Sequence, residues 1–345
     1  MSGKPVVILK PAPQPRDRIF TTATMARMRD HFSVVDLEEN ASEAAWEAAL
    51  PQAIAIVGQP DLDAATLARA EKLRAIFNVE GNFFPNVDYQ AAFAKGIRVL
   101  GCGPAYSQAV AEFSLGLALD IARGISREDR AARTGNETYV SEGTSDAILL
   151  RHANVGIIGF GNLGRALRPL LAPFSPRIRV YDPWIPPSVL RELDVEATGL
   201  DDLLHTSTFV FMLATVTSDS EHLLNARRLA MLPDGARLVL VSRAAVVDFD
   251  ALLPELESGR LYAGIDVWPQ EPIAADDPFR AVENVVISGH RAGGITAAFE
   301  AIGDMVVDDL ELIAAGLPPA RMQVAAPELV TRYRNRPVTG SETRS

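Results

Sequence analysis

Cysteine is nearly absent. The 345 residues hold one, Cys102, so the chain can build neither an internal disulfide nor a cysteine-based metal site. A reducing, cytoplasmic setting and no metal are the expectation. Lysine is scarce as well: of 33 cationic side chains only Lys4, Lys10, Lys72 and Lys95 are lysines. Schiff-base or P-loop lysine chemistry is therefore unavailable beyond residue 95. There is no basic block, and 44 acidic side chains give a net charge of −11, which argues against a nucleic-acid surface. Long unbroken apolar runs are missing too. The nearest, Ala109 to Ile125, is interrupted by Glu112, Asp120 and Arg123, so it reads as a buried helix of a soluble protein and not as a membrane span. The N-terminal segment runs into Pro11, Pro13 and Pro15 without a secretory pattern.

What is present is apolar surface in abundance. With 48% hydrophobic residues, the length suits about two compact domains, at roughly 100–200 residues each. Apolar, β-branched runs recur at Val6–Leu9, Ile54–Val57, Ile76–Val79, Ile97–Leu100, Val155–Ile158, Ile178–Tyr181, Phe209–Leu213, Leu238–Val241 and Val285–Ile287. They lack period-two alternation, which suits strands buried on both faces of a parallel sheet. Helix-like segments lie between them, at Ala41–Ala49, Ala64–Lys72, Leu200–Leu204 and after Asp248. The fold class is therefore α/β, doubly wound. A first domain without a glycine fingerprint ends near Gly103 and Pro104. Thr134 to Ser145 reads as an extended loop or arm, and the chain after Pro318 as an aperiodic tail, polar and partly disordered from Arg332 to Ser345.

The sharpest local signal is Gly159-Phe160-Gly161-Asn162-Leu163-Gly164, between an apolar strand and a helix continuing through Leu167, Leu170 and Leu171. Such a turn needs Gly159 for its tightness, Gly161 for close approach of a pyrophosphate and Gly164 for helix packing, with the helix N-terminus holding the anion. Asp182 ends the next strand, 23 positions after Gly159. A carboxylate there accepts bonds from the adenosine ribose and repels a 2′-phosphate, so NAD is the expected cofactor.

A nicotinamide enzyme also needs a proton-exchanging group and a cation for an anionic substrate. Of His31, His152, His205, His222 and His290, only His290 lies just past a late strand, where a sheet edge delivers side chains to a cofactor crevice. Arg243 follows the Leu238–Val241 strand, and Asp266 and Glu271 lie just beyond another. By residue type alone, each of these charges fits a structural ion pair as well as a site.

These motifs together resemble the D-isomer-specific 2-hydroxyacid dehydrogenase family over roughly residues 50 to 315. The resemblance rests on Val110-Ala111-Glu112, the glycine turn, Tyr181-Asp182-Pro183, Val241-Ser242-Arg243 through Asp248, Gly264-Ile265-Asp266 with Glu271-Pro272, and His290 before Ala292-Gly293-Gly294. It implies an NAD-dependent interconversion of a D-2-hydroxy acid and its 2-oxo acid. His290 would be the general acid/base, Glu271 its hydrogen-bond partner, and Arg243 the clamp on the substrate carboxylate. Asp266 would meet the nicotinamide carboxamide, and Thr215 would stand in the cofactor loop where the family has proline.

In fold, the resemblance implies a Rossmann-type NAD-binding domain (104–291) inserted into a flavodoxin-like substrate domain (1–103 and 292–330), with a polar tail at 331–345. Helices near 108–125 and 295–315 would cross between the two, and domain closure would exclude water. A homodimer, joined through the helix from Ala109 to Arg127 and the arm after it, is also implied.

Substrate contacts would come from backbone N–H groups of Val79, Glu80 and Gly81, from Tyr106, and from Arg291, a charged residue where the family is apolar. Ala244 after the arginine and Ser288-Gly289 before the histidine are further departures from the family pattern. Phe83, Phe84 and Trp268 either pack or face the substrate; in the second case the substrate has an apolar portion. Two related activities remain open on this reading: phosphite oxidation, and an NAD-sensing corepressor that binds peptides. The intact Arg243, Glu271 and His290 trio disfavours a formate dehydrogenase.

Overall fold

The computed structural model describes residues 3–38, 42–81, 83–140 and 145–334. The chain forms two compact units: the first runs to Tyr106 and resumes at Gly294, and the second takes Ser107–Gly293.

In the first unit, β1 (Val6–Lys10), β2 (Ser33–Asp36), β3 (Ala53–Gly58), β4 (Ala75–Asn78) and β5 (Arg98–Gly101) pair in parallel in the order 5-4-3-1-2. That is the flavodoxin-like order. Every residue of β3 and β4 is buried, as expected of strands covered by helices on both faces. Ile302, Val306, Leu310 and Ile313, on one stripe of the Thr296–Ala314 helix, pack against Val7, Leu9 and Phe77 on one face. Ile8, Ile56 and Ile76 serve a second cluster with Leu67 and Val99. Burial of each such side chain stabilises by about 1.5–3 kcal/mol before entropy is counted.

The second unit's strands are β6 (Asn154–Ile158), β7 (Arg177–Tyr181), β8 (Glu196–Ala197), β9 (Phe209–Met212), β10 (Arg237–Leu240), β11 (Tyr262–Ile265) and β12 (Val285–Ile287). Their order, 12-11-10-9-6-7-8, is parallel throughout and reverses direction at β6 and β9. This is the Rossmann arrangement, whose ligands sit where the order reverses.

Several expectations change. β7 is only half-buried, because its outer neighbour β8 is two residues long, and Ile287 of β12 is 37% exposed at the other edge. The buried helix spans Gly103–Arg123 and stops at Gly124, whose φ of 67° breaks it. A second helix, Ile125–Thr134, follows with no buried residue, so Ile125 belongs to an exposed helix and not to the buried one. Residues 135–140 form neither helix nor strand, and the expected arm's residues 141–144 lie outside those described.

The stretch after Pro318 is not aperiodic. Asp309, fully buried on the Thr296–Ala314 helix, accepts the backbone N–H groups of Ala320, Arg321 and Met322. That grip places Gln323–Val324 antiparallel to β5, and a short helix follows at Pro327–Val330. The tail's residues 335–345 lie outside those described.

Candidate active site

β6 ends in the glycine turn. Gly159 has φ 88°, and a β-carbon there would stand 2.6 Å from the Ala214 backbone just beyond β9. Only glycine tolerates both the conformation and that approach. Gly164 lets the Asn162–Leu171 helix close on Phe160, whose ring a β-carbon would meet at 2.8 Å. Beside Gly161 the space is open, and as N-cap it brings no side chain to the first-turn N–H groups of the helix. Those groups and the positive end of the helix are suited to an anion.

Asp182 accepts the Phe160 N–H at 2.7 Å and the Trp184 N–H at 2.9 Å, one on each carboxylate oxygen. The carboxylate thereby ties the glycine turn to the end of β7. Thr215 lies in a turn clamped by Ser220, whose hydroxyl donates to the Thr215 carbonyl at 2.7 Å and accepts the Thr217 N–H at 2.8 Å.

Arg243, Glu271 and His290 are presented by the same sheet edge, past β10, β11 and β12. His290 Nδ1 lies 2.8 Å from Glu271 Oε2, and Glu271 Oε1 accepts the Trp268 N–H at 3.0 Å. Burial alone would raise the Glu271 pKa. The His290 hydrogen bond, the Trp268 N–H and the nearby charges of His290 and Arg243 outweigh it and hold the carboxyl below its ordinary value. The guanidinium of Arg243 donates to the Ser242 carbonyl at 2.6 Å.

The histidine's backbone is unusual. His290 has φ 53°, a left-handed conformation that costs about 1–2 kcal/mol for an L-residue. It is held there by Asp266: the Asp266 carbonyl accepts the His290 N–H at 2.7 Å, and its carboxylate accepts Arg291 N–H at 2.8 Å and Ala292 N–H at 3.0 Å. Asp266 is 0% exposed, and each of its carboxylate oxygens accepts one backbone N–H of this turn. Ser242 Oγ, by contrast, is buried with no hydrogen-bond partner, an orphan donor one residue from Arg243. The glycine cradle and the uncapped helix start fit the pyrophosphate of a dinucleotide, and the orphan Ser242 hydroxyl leaves a polar group free for a ligand.

Trp268 is a packing residue. It is buried against Phe249 and Phe279, with ring centroids 5.9 and 5.6 Å away, and its indole N–H donates to the Ser288 carbonyl at 2.7 Å. Phe83 and Phe84 are buried within the first unit, Phe83 against Gly101 and the Tyr333 ring. Of the two alternatives for these three aromatics, their burial fits packing. Val79 also points into a core, leaving only its backbone for a ligand. Glu80 donates its N–H to Gln59 Oε1 at 2.7 Å, and the Tyr106 ring backs onto Gly81. Asn82 in the same loop lies outside the described residues. The Arg291 side chain is exposed.

Sequence reasoning missed Ser242, although it neighbours the candidate arginine, and Gln59, for which no local pattern exists.

Residues 115–292 match the family described as D-isomer specific 2-hydroxyacid dehydrogenase, NAD binding domain. The chain is 30% identical over 264 residues to a glyoxylate reductase of Pyrococcus horikoshii, covering 75% of this chain and 78% of that protein. It is 32% identical over 251 residues to a hydroxypyruvate reductase of Thermotoga maritima, covering 71% and 79%. Among solved structures, one described as a phosphoglycerate oxidoreductase from Rhizobium etli is 41% identical with a TM-score of 0.85, over 94% of this chain and 99% of that one.

Proposed function

The chain belongs to the D-isomer-specific 2-hydroxyacid dehydrogenase family and is an NAD-dependent oxidoreductase of 2-hydroxy and 2-oxo acids; on that premise we propose that His290, Glu271 and Arg243 carry its reaction. The observation that carries this reading is the 2.8 Å contact of His290 Nδ1 with Glu271, on a strained turn that buried Asp266 maintains.

NAD, when bound, supplies the hydride acceptor for oxidation and, reduced, the donor for the reverse. The chain's residues do the rest. With Nδ1–H donated to Glu271, the Nε2 atom of His290 takes the hydroxyl proton in oxidation and, in reduction, protonates the oxygen of the carbonyl. Glu271 fixes the ring and steadies the imidazolium. Arg243 pairs with the substrate carboxylate, a bidentate task suited to guanidinium. Gly159, Gly161, Asn162, Leu163 and Gly164 hold the pyrophosphate, and Asp182 takes the adenosine ribose on its remaining lone pairs. Thr215 would flank the cofactor, and Asp266, which holds the His290 turn, would also accept a hydrogen bond from the nicotinamide carboxamide. The backbone of Val79, Glu80 and Gly81, with Tyr106 and Arg291, is assigned to the substrate.

Glyoxylate and hydroxypyruvate are the first substrates to test, since relatives carry those activities in their names. NADH oxidation should be seen with at least one 2-oxo acid. The His290→Ala variant should lose turnover while its NADH affinity, read by fluorescence, stays within about threefold; turnover that survives would mean another proton donor.

Self-association through the second unit is also proposed. Ile125, Tyr139, Val140 and Leu149 are 58, 74, 92 and 66% exposed there, and a second copy would cover them. Among the described residues, no helix is long and apolar enough to cross a membrane, and no group of three or more His, Cys, Asp or Glu side chains is arranged to hold a metal ion.

A further inference from the structure

Within the first unit, the C-terminal stretch of the chain meets the turn that follows β4. β4 ends at Asn78, whose partner in register on β5 is Gly101, and Gly101 pairs on its other side with Gln323. A β-carbon on Gly101 would stand 3.3 Å from the Phe83 ring, so the missing side chain is what lets that ring settle on β5. Phe83 is 6% exposed, and the Tyr333 ring covers it, with centroids 5.8 Å apart at 33°.

Tyr333 arrives there as the end of a strap anchored along its length. Asp309 takes the N–H groups of Ala320, Arg321 and Met322, and Val324 then pairs with Leu100. The Ala325 N–H donates to the Val99 carbonyl at 2.8 Å, and Pro327–Val330 makes one helical turn. Val330 and Tyr333 pack on the cluster that holds Phe83, Val87 and Val99.

The chain on either side of Phe83 is tied down as well. After it, the Tyr89 hydroxyl donates to the Phe84 carbonyl at 2.7 Å, and the Asn86 side-chain amide donates to the Pro60 carbonyl at 3.1 Å. Burial, and then the neighbouring Tyr333, push the Tyr89 hydroxyl above the ordinary tyrosine range, so it stays a donor. Before it, Gln59 accepts the Glu80 N–H at 2.7 Å, and Gly81 lies against the Tyr106 ring. The backbone of residues 79–81 is thus held from Gln59 on one side and from Phe83, two residues past Gly81, on the other. Freedom gained at Phe83 passes directly into that turn.

We propose that Tyr333 is a positioning residue for the reaction: by pinning Phe83 it keeps the backbone of Val79, Glu80 and Gly81 in the one shape that receives the substrate. Tyr333 acts through Phe83 and not on the substrate itself. The proposal rests on the assignment of the 79–81 turn to the substrate made above.

The test combines steady-state kinetics, with glyoxylate as the first 2-oxo acid, and hydrogen exchange at the amides of residues 79–81, in wild type, Tyr333→Ala and Tyr333→Phe. A turn in its receiving shape for only part of the time lowers the apparent affinity by that fraction. Tyr333→Ala should therefore speed exchange at 79–81 and raise KM by roughly 3- to 30-fold, with kcat within about twofold and NADH affinity unchanged. Tyr333→Phe keeps the ring and should restore both readouts. Tyr333→Leu, which keeps apolar bulk without the ring, should show the same split where alanine unfolds the chain. Unchanged exchange overturns the proposal, because the strap then does not order the turn. Faster exchange with KM unchanged removes the turn from the substrate site, and the proposal with it. Absence of wild-type turnover with every 2-oxo acid overturns the activity reading instead. Calorimetric binding of glyoxylate to NADH-saturated protein then decides the role of Tyr333: weaker binding in Tyr333→Ala upholds it, and equal binding rejects it.

Discussion

Replacing Glu271 by Gln keeps the shape of the His290 support and removes its charge. Both groups are about a quarter exposed, 27% for His290 and 21% for Glu271. At an effective dielectric near 20, unit charges at hydrogen-bond separation attract by roughly 4–6 kcal/mol. Partial solvation and the desolvation of both groups reduce the net support of the imidazolium to about 2–3 kcal/mol, a factor of roughly 30 to 150. A second effect adds to the first. In Glu271→Gln the carbonyl of the new side chain would keep the Trp268 N–H, and its amide N–H₂ would turn toward His290 Nδ1, so the ring must carry its proton on Nε2. In that tautomer Nε2 cannot take a proton from the substrate hydroxyl. The expected outcome is a fall in kcat of about 10²–10³ in steady-state assays that follow NADH by its absorbance, with the oxidation direction hit harder, and little change in NADH affinity. A kcat within about threefold of wild type in both directions, with NADH bound normally, would refute the reasoning. Stability supplies an independent check. Because the folded carboxyl titrates below its ordinary value, its contribution is complete above the unfolded value and is lost as pH falls through the lowered one. Glu271→Gln should lack that component of acid destabilisation.

Two cofactor-site substitutions should separate geometry from charge. Gly159→Ala puts a methyl 2.6 Å from the Ala214 backbone at φ 88°, so NADH binding should fall at least tenfold, measured by fluorescence titration. Asp182→Ala removes the charge that disfavours a 2′-phosphate and also frees the Phe160 and Trp184 N–H groups. NADH should bind less tightly, and the ratio of NADPH to NADH kcat/KM should rise; an unchanged ratio would remove Asp182 from the ribose site.

The α/β class, the glycine turn and the positions of Arg243, Glu271 and His290 past successive strands were legible because each depends on a short stretch of chain. A buried parallel strand is an apolar run, and a Gly159-type turn is a dihedral requirement that only one residue type meets. The resemblance could name the trio, but it could not supply the left-handed turn that presents His290. Asp266 was legible as a charge beyond a strand, whereas its service to the N–H groups of Arg291 and Ala292 was not.

Sequence by itself therefore determined the class of fold, the dinucleotide turn and the residue types of the proposed chemistry, since these are set by local backbone preferences and periodicity. Tertiary structure alone decided the partners. Phe83, Phe84 and Trp268 turned inward, because burying large rings against neighbours outweighs exposing them. Asp309 ordered the Gln323–Val324 strand through three N–H groups it meets only after the chain has turned back from the Thr296–Ala314 helix. Arg18 reached Phe299 across 281 positions of sequence, a separation no local pattern registers. Such contacts form wherever packing and charge compensation are best in three dimensions, and a linear pattern carries no record of distance through space.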